Sequence, residues 1–364
     1  MSTEPEIPKK YKAAVYDEPG KISTKVVELD MPEPGHGQVL INLTASGVCH
    51  SDLGVMTNTW AALPAPTQPG QVGGHEGVGK IVKLGPGTES VGVKVGDRVG
   101  IKWVSKACLN CGPCLAGRDA QCKGVEISGY YTPGTFQQYA LAPANYVTPI
   151  PDGVSDIEAA PFLCAGVTVY AALRKSGAQS GDWVVIIGAG GGLGHMAVQL
   201  ASKAFAMRVI GIDSESKRQL VLDSGAEHFL SFGSRDAPVD TPAEVQKLTG
   251  EGAHAVIVVA AVNAAYTSAL PMLRFGGRVV AVGIPEGGLV GIASASPQLL
   301  IGKELTVVGS SVGTRKDAIE TLNFAARGVV KMHVKSDKME NLTQIFQDMN
   351  DGKLQGRVVL DLTS

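Results

Sequence analysis

The sequence predicts an α/β protein of two domains, a partly open β-barrel and a doubly wound α/β domain. Three observations predict it. A chain of 364 residues is long enough for two domains of ordinary size. Its first 150 residues carry short apolar segments cut by Pro/Gly turns. From about residue 180, β-branched apolar runs alternate with helix-period patterns.

In the first region, segments such as 39–43 and 79–84 read as strands, bounded by Pro34-Gly35, Gly85-Pro86-Gly87 and Val95-Gly96-Asp97. In the second, the runs 183–187, 208–213, 255–259, 278–282 and 305–308 lack polar alternation. That is expected of strands buried on both faces of a parallel sheet. Between the first two, Leu193, Met196, Ala197, Leu200, Ala201 and Ala204 recur at helical spacing. A further helix over 315–327 and a last strand over 357–362 follow. The expected division assigns residues 1–165 and 309–364 to the barrel domain, with a lobe at about 105–125, and 166–308 to the doubly wound domain.

A 44% hydrophobic fraction with 18% charged residues describes a soluble globular protein with ample core. The formal charge of −2 offers no electrostatic case for nucleic acid or an anionic membrane surface. No apolar run approaches the roughly 20 residues needed to span a bilayer. The N-terminal segment has neither a secretory apolar core nor an Arg-rich amphipathic pattern, so the expected location is cytoplasmic.

Cys108, Cys111, Cys114 and Cys122 form a C-x2-C-x2-C-x7-C run. Four thiolates that close suit one tetrahedral zinc in a closed, structural site. Two disulfides would need an oxidising compartment, and an iron–sulfur cluster is the other four-cysteine option, although its binding runs often have other spacings.

The strand 183–187 runs into Gly188-Ala-Gly-Gly-Gly-Leu-Gly194 and then a helix. Such a loop lets backbone N–H groups approach a pyrophosphate at a helix N-terminus. The strict G-x-G-x-x-G spacing fails, because its last position falls on Leu193; the pattern is G-x-x-G-G-x-G, through Gly188, Gly191, Gly192 and Gly194. Nineteen residues after Gly194 a strand ends at Asp213, placed to bind ribose hydroxyls and to repel a 2′-phosphate, which favours NAD over NADP. Lys217 is within reach of the same ribose, with a solvated surface lysine as the plainer reading.

Two cysteines remain, Cys49 and Cys164, and between them stands His75 in GGHEGVG. Singly, each has a packing explanation. Together they make a Cys2His set with a fourth position open, the pattern of a catalytic zinc.

With these residues, the chain closely resembles the zinc-dependent alcohol dehydrogenases of the medium-chain dehydrogenase/reductase family, especially the yeast and fungal ethanol-type enzymes. The segments that carry the resemblance are GVCHSDL (47–53), GGHEGVGK (73–80), the cysteine run, SGYYTPGTFQQYA (128–140), LCAGVTVY (163–170), GAGGGLG (188–194), GID (211–213) and QGRVV (355–359). The resemblance implies a GroES-like catalytic domain and a Rossmann coenzyme domain. It also implies a homotetramer, and two zinc ions per subunit with NAD as coenzyme. Cys49, His75 and Cys164 look like the catalytic zinc ligands, Glu76 the acid that approaches the metal during ligand exchange, and Asp52 the partner of the ligating imidazole. Ser51 resembles the hydroxyl that bonds the alcohol, and His50 a basic group near the pyrophosphate. Thr168 resembles a nicotinamide contact and Arg357 a pyrophosphate contact.

Trp60 and Trp103 align with positions that line the substrate channel, where two indoles favour small primary alcohols. The family usually has a proton-relay histidine three residues after Ser51; here that position is Gly54, and water is expected to take the terminal step. His36, His195, His228, His254 and His333 are read as structural.

The implied activity is reversible hydride transfer between ethanol-like alcohols or aldehydes and NAD. The alternatives are a same-fold enzyme for secondary or larger alcohols and ketones, and a non-catalytic zinc-binding structural or regulatory protein. The latter would need only the four-cysteine run. A nucleic-acid-binding zinc protein is disfavoured, because only Lys106, Arg118 and Lys123 lie near that run.

Overall fold

The computed structural model describes residues 7–60, 63–234, 237–285, 290–354 and 356–363; Gln355 of the QGRVV segment lies outside them. The chain divides into two compact units, one of residues 1–164, 314–326 and 332–364, the other of residues 165–313 and 327–331.

The first unit is organised around one long strand, Gln38–Val48. One edge of it pairs along most of its length with Gly77–Leu84. The other edge is shared: Gln38–Asn42 pair with Tyr139–Pro143, and Ala45–Val48 with Arg357–Asp361. Arg98–Ile101 and Thr148–Pro149 extend the sheet on one side, and Val334–Lys338 on the other. Strands that divide a partner's edge in this way must splay, and the sheet, antiparallel except where Val334–Lys338 pairs parallel with Arg357–Asp361, curls around a core that includes Leu43, Ile81, Phe136 and Phe346. A two-stranded ribbon, Lys10–Tyr16 with Thr24–Asp30, bridges to the sheet region at Ala13–Gln137.

The register of the long strand positions the chemistry. Val358 lies opposite Val48, so the next residue along, Arg357, falls beside Cys49. Ser46 lies opposite Gly77, so Glu76 falls beside Gly47. A Cβ on Gly47 would overlap the Glu76 carboxylate, and only a glycine leaves room for that side chain.

The second unit is a six-stranded parallel sheet in the order His228–Ser231, Arg208–Asp213, Trp183–Ile187, Ala253–Val258, Leu273–Ala281, Thr306–Gly309. The order reverses between Trp183–Ile187 and Ala253–Val258, the position at which doubly wound folds bind ligands. Trp183–Ile187 is buried at all five positions, as its unbroken apolar run predicts. The helix after the glycine loop runs over Gly194–Gln199 and continues as a π-helical turn over Leu200–Ala204. Among the described residues, no single helix is long and apolar enough to cross a membrane.

Candidate metal centre and coenzyme loop

Cys49 follows the long strand directly and caps the helix His50–Thr57; its backbone N–H donates to Asp52 Oδ2 at 2.9 Å. The other Asp52 oxygen lies 2.8 Å from His75 Nδ1. That contact turns His75 Nε2 toward the sulfurs, where it is buried and without a hydrogen-bond partner. Cys49 Sγ and Cys164 Sγ are 3.9 Å apart. The donor atoms of Cys49, His75, Glu76 and Cys164 all lie within 4.8 Å of one another, and all four residues are buried.

This donor set fits zinc. Two sulfurs at about 2.3 Å from one tetrahedral ion sit about 3.8 Å apart, and a buried imidazole nitrogen with no proton partner is the lone pair such an ion takes. The second cluster fits as well: Cys111 Sγ is 3.5 Å from Cys114 Sγ and 3.9 Å from Cys122 Sγ, with Cys108 completing the set. Backbone N–H groups of Cys108 and Gly124 donate to Cys122 Sγ at 3.2 and 3.3 Å, which supports a thiolate there.

The electrostatics at the buried cluster follow from enclosure. The hydrogen bond between the two thiols draws Cys49 well below its ordinary value and pushes Cys164 well above it. Burial pulls the His75 imidazole down, but the Asp52 carboxylate and Cys49 together hold it well above its usual value. Burial raises Glu76 to about 8, with Arg357 opposing. Arg357 pairs through its guanidinium with Glu76 Oε1 and approaches Cys49 Sγ at 3.7 Å.

Ser51 is the second residue of the helix His50–Thr57, its Oγ 3.7 Å from Cys49 Sγ, while His50 is exposed at the helix start. Arg357, expected from the resemblance at a pyrophosphate, is only 6% exposed and is engaged with the metal cluster's acid. No local signal announces that pairing, because it arises from strand register across 281 residues. Trp103 meets His75 edge-to-face with centroids 4.8 Å apart, and Trp60 meets Trp103 likewise at 5.6 Å. The space above Gly54 is filled by the Trp60 indole: a Cβ there would come within 2.7 Å of its Cδ1 and Nε1.

In the second unit, Gly190 N–H donates to Asp213 Oδ2 and Ser214 N–H to Oδ1, each at 2.7 Å. The glycine loop and the strand-end acid are thus one construction. Gly188 takes a φ of +91°, open to glycine at little cost. A Cβ on Gly194 would collide with the Gly188 carbonyl, so the helix starts flush against the loop. Gly191 accepts the amide N–H of His195, with Gly192 and Leu193 completing the turn. Lys217 packs its Cβ against Gly190, 2.5 Å from where a side chain would begin. Thr168 is buried in the helix Ala165–Ser176. His195 is buried, with Nδ1 2.9 Å from the Gly191 carbonyl.

Two thiolate-rich metal clusters in one unit, and a dinucleotide-type loop on a parallel sheet in the other, define the class of zinc-dependent dehydrogenases. Comparison with known proteins narrows the class. The model described as the alcohol dehydrogenase GroES-like domain matches residues 35–152, and that described as zinc-binding dehydrogenase matches residues 192–327. Alcohol dehydrogenase 2 of Emericella nidulans is 63% identical over 364 residues, covering 99% of each chain. Among solved structures, an alcohol dehydrogenase from Aeropyrum pernix is 30% identical with a TM-score of 0.84, over 96% of this chain and 99% of that one. An acetophenone reductase from Geotrichum candidum, solved in complex with NAD, is 29% identical with a TM-score of 0.82, over 98% of both. The chain belongs to the zinc-binding alcohol dehydrogenase family of medium-chain dehydrogenases.

Proposed function

We propose that this protein is an NAD-dependent zinc alcohol dehydrogenase acting on small primary alcohols and aldehydes. The observation that carries the reading is the buried Cys49–His75–Cys164 set, with His75 Nε2 unpartnered and Nδ1 tied to Asp52. A protein that used zinc only for structure would need the four-cysteine lobe and not this second, enclosed set. The E. nidulans relative, named alcohol dehydrogenase 2, supports the activity, and the G. candidum neighbour's complex supports NAD.

In this reading Cys49, His75 and Cys164 hold the catalytic zinc, and Cys108, Cys111, Cys114 and Cys122 the structural one. When bound, zinc supplies Lewis acidity toward an alcohol hydroxyl, and NAD takes up the hydride. Asp52 fixes the His75 tautomer so that Nε2 faces the metal site. The Ser51 hydroxyl, beside Cys49, would hydrogen-bond the alcohol and relay its proton, accepting it while releasing its own toward water. Arg357 holds the buried Glu76 carboxyl close to the ligands, 4.0 Å from His75 Nε2, from where it enters ligand exchange. Trp60 and Trp103 wall the substrate side. On the coenzyme, the loop Gly188–Gly194 would hold the pyrophosphate and Thr168 the nicotinamide. Asp213 retains lone pairs for the ribose hydroxyls, with Lys217 beside it. The catalytic assignment goes to the first unit and coenzyme binding to the second. A homotetramer in the cytoplasm completes the proposal; six unbridged cysteines suit a reducing compartment.

The test is a steady-state assay of the purified chain over primary and secondary alcohols and their carbonyl products, with NAD and NADP, alongside zinc analysis. The expected result is NAD-linked turnover greatest on small primary alcohols and two zinc ions per chain. Cys164→Ser is expected to lose one zinc and at least about 10³-fold in kcat/KM, in line with the several kcal/mol a metal supplies. A protein with two zinc ions and no alcohol or aldehyde turnover would overturn the reading.

A further inference from the structure

We propose that Gly54 is a specificity-determining residue, whose missing side chain seats the Trp60 indole and so sets the width of the aromatic wall over the metal cluster. The proposal rests on the alcohol dehydrogenase reading above and goes beyond it.

Glycine is an expensive choice here. It lies inside the helix His50–Thr57, where it costs about 1 kcal/mol relative to alanine. Its φ is not in the left-handed region, so the backbone does not require it. What requires it is the indole. A Cβ at residue 54 would stand 2.7 Å from both Cδ1 and Nε1 of Trp60, closer than real side chains approach, and 3.2 Å from Cγ.

The turn that brings the indole there is built into the same helix. Asn58 adopts a left-handed φ of 59°. Its N–H bonds the Val55 carbonyl at 3.3 Å, and the Thr59 N–H bonds the Gly54 carbonyl at 3.1 Å. This pair of bonds is a Schellman ending, which reverses the chain over the last helical turn. Asn58 Oδ1 accepts from the Thr67 N–H at 2.8 Å, and Thr67 Oγ1 donates to the Val55 carbonyl at 2.7 Å, locking the reversal. Trp60 comes next in the chain and folds back onto Gly54. From that seat it meets Trp103 at 64°, and Trp103 meets His75 at 82°, both edge-to-face arrangements that aromatic rings favour. Gly54 therefore acts through Trp60 as a positioning residue; it needs no contact with substrate.

The experiment compares wild type, Gly54→Ala, Trp60→Leu and the double variant on ethanol and 1-butanol with NAD. Gly54→Ala is expected to change the ratio of kcat/KM for the two alcohols about ten-fold, chiefly through KM, the scale at which a pocket distinguishes methylenes. In the Trp60→Leu background the same substitution is expected to change that ratio by less than about two-fold, since the coupling partner is gone. An unchanged ratio in Gly54→Ala, or an equal change in both backgrounds, overturns the proposal. Near-ultraviolet circular dichroism reads the seat without substrate: the signal lost in Trp60→Leu should also be lost or altered in Gly54→Ala, and its full retention overturns the proposal. A wild type without alcohol turnover would instead count against the functional reading, and the dichroism would still decide whether Gly54 seats the indole. If Gly54→Ala does not accumulate as folded protein, rescue in the double variant supports the seat and equal failure of the double variant overturns it.

Discussion

Lys102 illustrates how far burial alone moves a side chain. Its ammonium donates to the Val104 carbonyl at 3.0 Å and lies 3.8 Å above the Tyr146 ring. Enclosure lowers its pKa from 10.5 to about 7, against an opposing pull from Asp119. The unfolded chain keeps that proton up to the ordinary value, so between about 7 and 10.5 it binds more protons than the folded chain does. Stability from this group therefore rises with pH across that window and levels off below it, where both states are charged. Lys102→Met is expected to flatten the rise, reducing the gain in Tm between pH 6.5 and 9.5 by about 2–4 °C for each kcal/mol of linkage removed. An identical pH slope in wild type and variant would refute the assignment. At the same scale, Gly47 shows a residue whose value lies in what it lacks: its bare Cα is the room in which the Glu76 carboxyl sits.

The cysteine lobe is the element most dependent on its metal. Its helical turns, Gly112–Leu115 and Asp119–Gln121, bury none of their residues, so little apolar burial holds them. A two-stranded pairing of Val104–Lys106 with Glu126–Ile127 closes the base. Asp119 ties the lobe to its own unit, accepting from the Tyr146 hydroxyl and from the Arg315 N–H at 3.1 Å. An element with so small a core owes its fold to coordination. Cys111→Ser is expected to lose one of two zinc ions and to lower the Tm, while freshly prepared enzyme retains turnover. Loss of activity with metal content and Tm intact would contradict a structural role. The glycine loop is the opposite case. Its conformation is set by strand, helix and the Asp213 carboxylate, and it was readable in the sequence because every participant lies within 31 residues of Trp183.

At the scale of the molecule, the second unit leaves an apolar margin. Thr306–Gly309 is an edge strand of the parallel sheet; its Val307 is 40% exposed, and elsewhere in the same unit Ile301 and Phe275 are 77% and 61% exposed. Unpaired strand edges and large exposed apolar groups attract partners. Sedimentation equilibrium is expected to give a mass close to four times the 37.7 kDa chain, and Val307→Lys with Ile301→Lys is expected to shift it to smaller species. A monomeric wild type would refute the tetramer. The division of labour between sequence and structure follows from range. The strand runs, the glycine loop with Asp213 and the four-cysteine spacing were legible because periodicity and ligand spacing are local properties of the chain. Cys49, His75 and Cys164 were legible as candidate ligands by residue type. Their meeting within 4.8 Å, the burial of Arg357 on Glu76, the Trp60 indole over Gly54 and the enclosure of Lys102 were not. Those depend on strand register and on a helix ending that reverses the chain, and a shift of one residue in that register would turn Arg357 to the opposite face of its strand. By itself the sequence determined the fold class, the two kinds of metal donor and the coenzyme loop. Only the tertiary structure decided which buried charges face one another and which ring fills which space, because packing and desolvation act between residues that the chain holds far apart.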